Sequence, residues 1–167
     1  TADDLVNAFK KVVSGWGDRL EHLLRFSFYS LLALPGKTFF DVFALLQRTD
    51  HHEELIQEIL DASSNQVLRH FWNNDFRRYK KEELGPPKHK LSKLLLSGNV
   101  SLMFSQPENR FDFRGMMDRG TVLIANLSSL GTDTRDLLGC FCLSLFHHAA
   151  LSRQDIPTQE RRPFYLY

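Results

Sequence analysis

Cysteine is almost missing from this chain, with two in 167 residues, and so are long apolar runs and any excess of charge of one sign. Cys140 and Cys142 stand two apart in an apolar stretch that reads as helix. Their side chains leave the helix in different directions and cannot bridge one another. A zinc site would need two further ligands at a matching spacing, and the sequence offers none, so both are read as packing residues. No stretch reaches the roughly 20 uncharged apolar residues that a bilayer crossing takes. The opening Thr1-Ala2-Asp3-Asp4 has neither the basic nor the apolar region of a signal peptide, so a cytoplasmic location is the expectation. With 21 basic and 20 acidic side chains the formal charge is +1, which decides neither for nor against nucleic acid. Local charge has to decide.

What is present is the composition of a soluble globular protein, 43% hydrophobic and 25% charged, long enough to bury a sizeable core. Residues 1–104 predict an all-α domain. Leu5, Phe9, Val12, Val13 and Trp16 recur at three and four, and Leu20, Leu23, Leu24, Phe28, Leu31 and Leu32 continue the stripe beyond a break at Gly15 and Gly17. Leu34-Pro35-Gly36 ends the second helix. Phe40, Val42, Phe43, Leu45 and Leu46 predict a short third helix, and Leu55, Ile56, Ile59 and Leu60 a fourth. Ser63-Ser64-Asn65 is a cap signal ahead of Val67, Leu68, Phe71 and Trp72. Past the interruption at Gly85-Pro86-Pro87, Leu91, Leu94, Leu95 and Leu96 predict one more helix, ending near Ser97-Gly98-Asn99. The sum is a bundle of about six helices.

Residues 105–167 read differently. A short helical turn over Asp112 to Met117 and a turn at Asp118-Arg119-Gly120 lead into Thr121-Val122-Leu123-Ile124-Ala125-Asn126-Leu127, a β-branched apolar run expected to be a buried strand. A long apolar helix is predicted from Thr134 to about Ser152, stopped by Asp155-Ile156-Pro157. The last residues, Pro163-Phe164-Tyr165-Leu166-Tyr167, have the composition of a second buried strand. Strand, helix and strand predict a right-handed βαβ unit with parallel strands, and its position implies a domain cut before its functional end.

Several short motifs that carry chemistry elsewhere have plainer roles open to them in this chain. Gly36-Lys37-Thr38 resembles the end of a phosphate-binding P-loop, but Leu31 stands where the leading glycine is required and a helix precedes it, so it is read as a turn. His51-His52-Glu53-Glu54 resembles the start of a zinc-protease motif, yet Ile56 occupies the second histidine's place. His147-His148 reads as a helix-end packing pair. Thr132-Asp133-Thr134-Arg135 opens the long helix, where capping is the commoner role than anion binding. Arg77, Arg78, Lys80, Lys81, Lys88, Lys90 and Lys93 gather against only Glu82 and Glu83, with Trp72, Phe76 and Tyr79 interleaved. That pattern suits contact with DNA phosphates, but a solvated face whose aromatics turn inward is the plainer and favoured reading. Arg153 is a candidate arginine finger, with Arg161-Arg162 near it; a surface ion pair is the plainer reading.

Taken in order, Phe9-Lys10-Lys11, Gly15-Trp16-Gly17-Asp18-Arg19-Leu20-Glu21, Pro35-Gly36, Phe71-Trp72 with Asp75-Phe76, Asp118-Arg119-Gly120 into Val122 to Ser128, Leu130-Gly131, Leu137-Leu138-Gly139, Ala149 to Arg153 and Arg162 to Tyr167 make up a series. On these segments the chain resembles the HerA/FtsK superfamily of ring-forming P-loop ATPases, closest to type IV secretion and conjugative coupling proteins of the TraD/TraG sort. The resemblance implies an inserted all-α domain over 1–104 and a partial RecA-like core over 105–167, with strands at 121–127 and 163–167 and a helix at 134–152. It implies a parent that is a homo-hexamer, uses ATP and magnesium, and moves DNA.

The sequence itself contains neither a Walker A loop nor Walker B acids, so no catalytic, cofactor-binding or metal-binding residue is assigned, and the chain alone is expected to be catalytically silent. The first functional expectation is a fragment of a DNA-translocating or secretion-linked ATPase whose helical domain meets DNA or a DNA-processing partner. The alternative is a helical module that docks a partner protein without touching DNA.

Overall fold

The computed structural model describes residues 2–12, 14–48, 50–96, 98–108 and 110–167. Val13 and Ser97, read above as part of an apolar stripe and of a helix end, lie outside the described residues, as does Thr1, and Val12 and Leu94 are described by backbone alone. The chain divides into two compact units, Thr1–Glu108 and Asn109–Tyr167.

In the first unit the three-and-four spacing lays one side of most of the helices into a core, though Val67, placed in the stripe by its spacing, is 66% exposed. α1 (Ala2–Val12) buries Val6 and Phe9, and α2 (Asp18–Leu32) buries Leu20, Leu23, Leu24, Phe28 and Leu31. α1 packs on α2, and Phe9 meets Phe28 at 5.7 Å between ring centroids. Glu21 joins the two helices, accepting from Lys10 and from the Trp16 indole at 2.8 Å each and from Arg25 one turn on.

Leu34-Pro35-Gly36 does end the helical run. Gly36 has φ +72°, a left-handed conformation that a side chain would disfavour. α3 (Phe39–Gln47) then starts on a capping box, Thr38 Oγ1 accepting from the Phe40 N–H at 3.2 Å and Asp41 accepting from the Thr38 N–H at 2.6 Å. α4 (Asp50–Ala62) packs on α3. Asn65 caps α5 (Gln66–His70), accepting from Val67 N–H at 2.9 Å.

From α5 the chain continues without a break through a π-helical turn, Phe71–Asp75, into α6 (Phe76–Arg78). The wider turn carries Phe71 and Trp72 inward, where Trp72 is fully buried and donates its indole N–H to Ser30 Oγ at 2.7 Å. A 3₁₀ turn, Lys81–Leu84, leads to α7 (Gly85–Leu95), whose Pro86 and Pro87 sit where missing N–H groups cost nothing. α8 (Gly98–Phe104) closes the unit, with Phe104 on Phe39 at 4.4 Å.

The second unit corrects the fold expected from sequence. No β-strand is present among the described residues, so there is no βαβ unit and no RecA-like piece. Residues 121–127 are irregular, with Val122 and Ile124 83% and 85% exposed, and the terminal segment leaves Tyr165 71% exposed. A strand exists only by pairing its backbone with a neighbour, and strand propensity describes fitness for a pleated, half-buried surface rather than a local preference. Two short runs with no sheet to join therefore stay unpaired. The start of the first run is also claimed by a helix: α9 (Phe113–Arg119) ends on Gly120, and the Thr121 N–H returns to the Met116 carbonyl at 2.8 Å.

α10 (Thr132–Ser152) packs on α9. Phe113, Met117, Phe146 and Ala149 form a small core. Phe164, placed in the expected last strand, packs against that core and stacks on Phe146 at 5.1 Å. Two 3₁₀ turns, Arg153–Asp155 and Thr158–Glu160, join α10 to the terminal segment.

Candidate functional site

The basic segment is the strongest candidate left by the sequence, and its backbone fixes where each charge stands. The π-helical turn and α6 point Trp72 and Phe76 into the core, at 0% and 1% exposure. Phe76 is further covered by Arg48, whose guanidinium lies 5.2 Å above the ring and donates to the Phe76 carbonyl at 2.6 Å. Tyr79 is half-buried, with Arg19 over its ring at 5.6 Å, and burial pushes its hydroxyl above the usual tyrosine pKa. The interleaved aromatics are thus core and cover, and Trp72 and Phe76 offer no face on which a base could stack.

The seven cations divide into two groups. Arg77 reaches Glu53 at 3.4 Å, Lys90 donates to the Ser14 carbonyl, and Lys93 also has an interaction. Arg78, Lys80, Lys81 and Lys88 have no ion-pair or hydrogen-bond partner for their side chains among the described residues; the first three are exposed and Lys88 is half-buried. Of the two acids between them, Glu83 is engaged, by Arg19 and by the Lys80 backbone N–H at 2.6 Å, while Glu82 is exposed.

The remaining motifs resolve into local structure. Gly36-Lys37-Thr38 is a helix junction: Gly36 makes the turn, Lys37 pairs with Glu58 at 2.5 Å, and Thr38 caps α3. His51 lies against Glu54 at 3.0 Å and His52 against Glu53 at 3.5 Å. His147 and His148 are neighbours late in α10, with rings 6.0 Å apart. Cys140 and Cys142 are free and half-buried, and burial pushes the Cys142 thiol up. No group of three His, Cys, Asp or Glu that could hold a metal occurs among the described residues. Thr132 to Arg135 form the first turn of α10.

Arg153 is tied within its own unit. It is 5% exposed, its Nε 2.7 Å from Asp118 Oδ1 and its Nη2 donating to the Arg162 carbonyl at 2.9 Å. The Nε contact is an ion pair by distance without the alignment of a hydrogen bond. Arg114 Nη2 donates to both oxygens of Asp155 at 2.6 Å each, which holds that carboxyl below its usual range, and its Nη1 donates to the Ser152 carbonyl at 2.7 Å. Arg161 donates to the Ile156 carbonyl at 2.7 Å and Arg162 to the Arg119 carbonyl at 3.0 Å. Arg114, Arg153, Arg161 and Arg162 are thus ties within this unit. Neither spacing nor composition signals such ties, because their acceptors are largely backbone carbonyls at chain turns.

The surface that sequence reading missed is on α10. Leu137, Leu138, Phe141, Phe146 and Ala149 are buried, yet Leu143, Leu145 and Leu151 are exposed, so the helix is apolar on more than one side. No helix among the described residues is long and apolar enough to cross a membrane. The signal was in the sequence, as a helix with too many leucines for one face. Comparison with protein-family models, with curated proteins and with solved structures yields no match to this chain.

Proposed function

We propose that this chain is a helical protein-interaction module that docks a partner protein. The observation that carries this reading is the second unit's apolar surface: Leu143, Leu145 and Leu151 on α10 stand exposed, as do Val122 and Ile124 on the segment before it. Single exposed apolar residues need no explanation, but a helix apolar on several sides does. Its leucines are covered in the assembled state by another apolar surface. The inward-turned Trp72 and Phe76 support the same reading, since they take from the basic segment the stacking platform that single-stranded nucleic acid would use.

The test has two arms. A photoreactive amino acid placed at Leu143 and, separately, at Leu151 should crosslink to one and the same protein in cells, and Leu145→Lys should remove both crosslinks while leaving the melting temperature unchanged. Titration of single- and double-stranded DNA should show no binding that falls steeply between about 50 and 200 mM salt. A steep salt dependence with DNA, or crosslinks that differ between the two positions, would sink the reading.

A further inference from the structure

Seven basic side chains against two acidic ones between Arg77 and Lys93 is a local excess in a chain whose formal charge is +1. The structure pairs Arg77 with Glu53, gives Lys90 the Ser14 carbonyl and engages Lys93, but leaves Arg78, Lys80, Lys81 and Lys88 without a side-chain partner among the described residues. Their backbone is not a loose loop. Arg78 ends α6, whose Phe76 is buried, Lys81 opens the 3₁₀ turn that buries Leu84, and Lys88 follows the buried Pro87 in α7. Glu83, one of the two acids in this stretch, is held by Arg19 and by a backbone N–H. Protein surfaces ordinarily intersperse the two signs, so like charges held together on fixed backbone raise the local potential and favour an anionic partner.

We propose that this corner, formed by Arg78, Lys80, Lys81 and Lys88, is the docking site for an acidic peptide segment of a partner protein. The proposal rests on the reading of the chain as a protein-interaction module and names the chemistry of one partner segment. Two features favour a peptide over nucleic acid. Of the neighbouring aromatics, Trp72 and Phe76 cannot stack on bases because they are buried, and Arg19 already lies over one face of Tyr79. The exposed Glu82 interrupts the basic track between Lys81 and Lys88. A nucleic-acid strand sets its phosphates at a regular interval and meets that carboxylate, whereas Asp and Glu side chains of an extended peptide can be spaced around it.

The experiment is fluorescence anisotropy of the full chain with a labelled oligo-glutamate peptide and with a single-stranded oligonucleotide of equal charge, at about 50 and 200 mM salt. Arg78→Glu/Lys81→Glu should weaken peptide binding about tenfold or more, and the neutral pair Arg78→Gln/Lys81→Gln should weaken it less. Arg110→Glu/Arg135→Glu, the same change of net charge made in the second unit, should leave it unchanged. Circular dichroism and melting of each variant keep the comparison between folded proteins, and the neutral pair carries the test if the reversal does not fold. No binding of the peptide, or equal weakening by both charge reversals, overturns the acidic-peptide site while leaving the interaction-module reading standing on its crosslinks. Tighter binding of the oligonucleotide, lost on the corner reversal, overturns both.

Discussion

Arg162 lies across Gly120. The glycine closes α9 in a left-handed conformation, φ +68°, and the guanidinium of Arg162 occupies the space that a Cβ on residue 120 would enter, while its Nη1 donates to the adjacent Arg119 carbonyl at 3.0 Å. One contact thus fixes a helix end and anchors the terminal segment whose Phe164 completes the core of the second unit. Gly120→Ala should cost about 1 kcal/mol for the backbone alone and more for displacing the arginine. In the background of Arg162→Ala only the first part should remain, and a double-mutant cycle read by urea denaturation measures the difference. Strict additivity of the two substitutions would show that the arginine does not occupy that space.

Arg153 should matter for stability. Arg153→Ala removes the nearer of Asp118's two arginines and the donor to the Arg162 carbonyl at once, and because Asp118 keeps Arg114 at 3.7 Å and access to water the expected loss is about 1–3 kcal/mol. Thermal denaturation followed by near-ultraviolet circular dichroism checks it, with Arg153→Lys recovering little because a single ammonium cannot span both acceptors.

Acid should loosen the junction of α1 and α2. The carboxyl of Glu21 is held at about 2 by the Lys10 ammonium first, then by the Trp16 indole and Arg25. A carboxylate whose folded pKa lies below its unfolded value contributes stability fully above the unfolded value, near 4.3 for glutamate, and loses it as pH falls toward the folded one. Melting temperature should therefore drop between about pH 5 and 2, and Glu21→Gln should flatten that part of the profile. An unchanged slope in the variant would assign the acid lability to other carboxylates.

Thr38→Ala should remove the capping box of α3 and cost about 1 kcal/mol, with Thr38→Ser recovering most of it. The measurement is the shift of the urea midpoint at constant slope. No shift would mean that Asp41 holds the helix start without the hydroxyl.

The helical half was legible because its signal is local. Three-and-four spacing of Leu23, Leu24, Phe28 and Leu31 needs no knowledge of what they pack against, and Asn65 announces a helix start by its own side chain. The count of about six helices fell short because the run through Val67, Phe71 and Trp72 conceals a π-helical turn and an α6, and α8 follows the last expected helix at once. The strands at 121–127 and 163–167 were illegible for the opposite reason. Val122 and Ile124 have the side chains of a strand, but pairing depends on a neighbour that no local pattern reveals.

The same division runs through the candidate site. By itself the sequence determined the helical character of residues 1–104, the position of the basic segment and the absence of a complete P-loop in Gly36-Lys37-Thr38, since each follows from which residues are present and how they are spaced. Only the tertiary structure decided which cations are spent. Arg77 finds Glu53 and Lys90 finds the Ser14 carbonyl across long stretches of chain, while the side chains of Arg78 and Lys81 find no partner among the described residues. Charge is a property of a residue, but compensation is a property of distance, and distance between residues far apart in the chain exists only once it has folded.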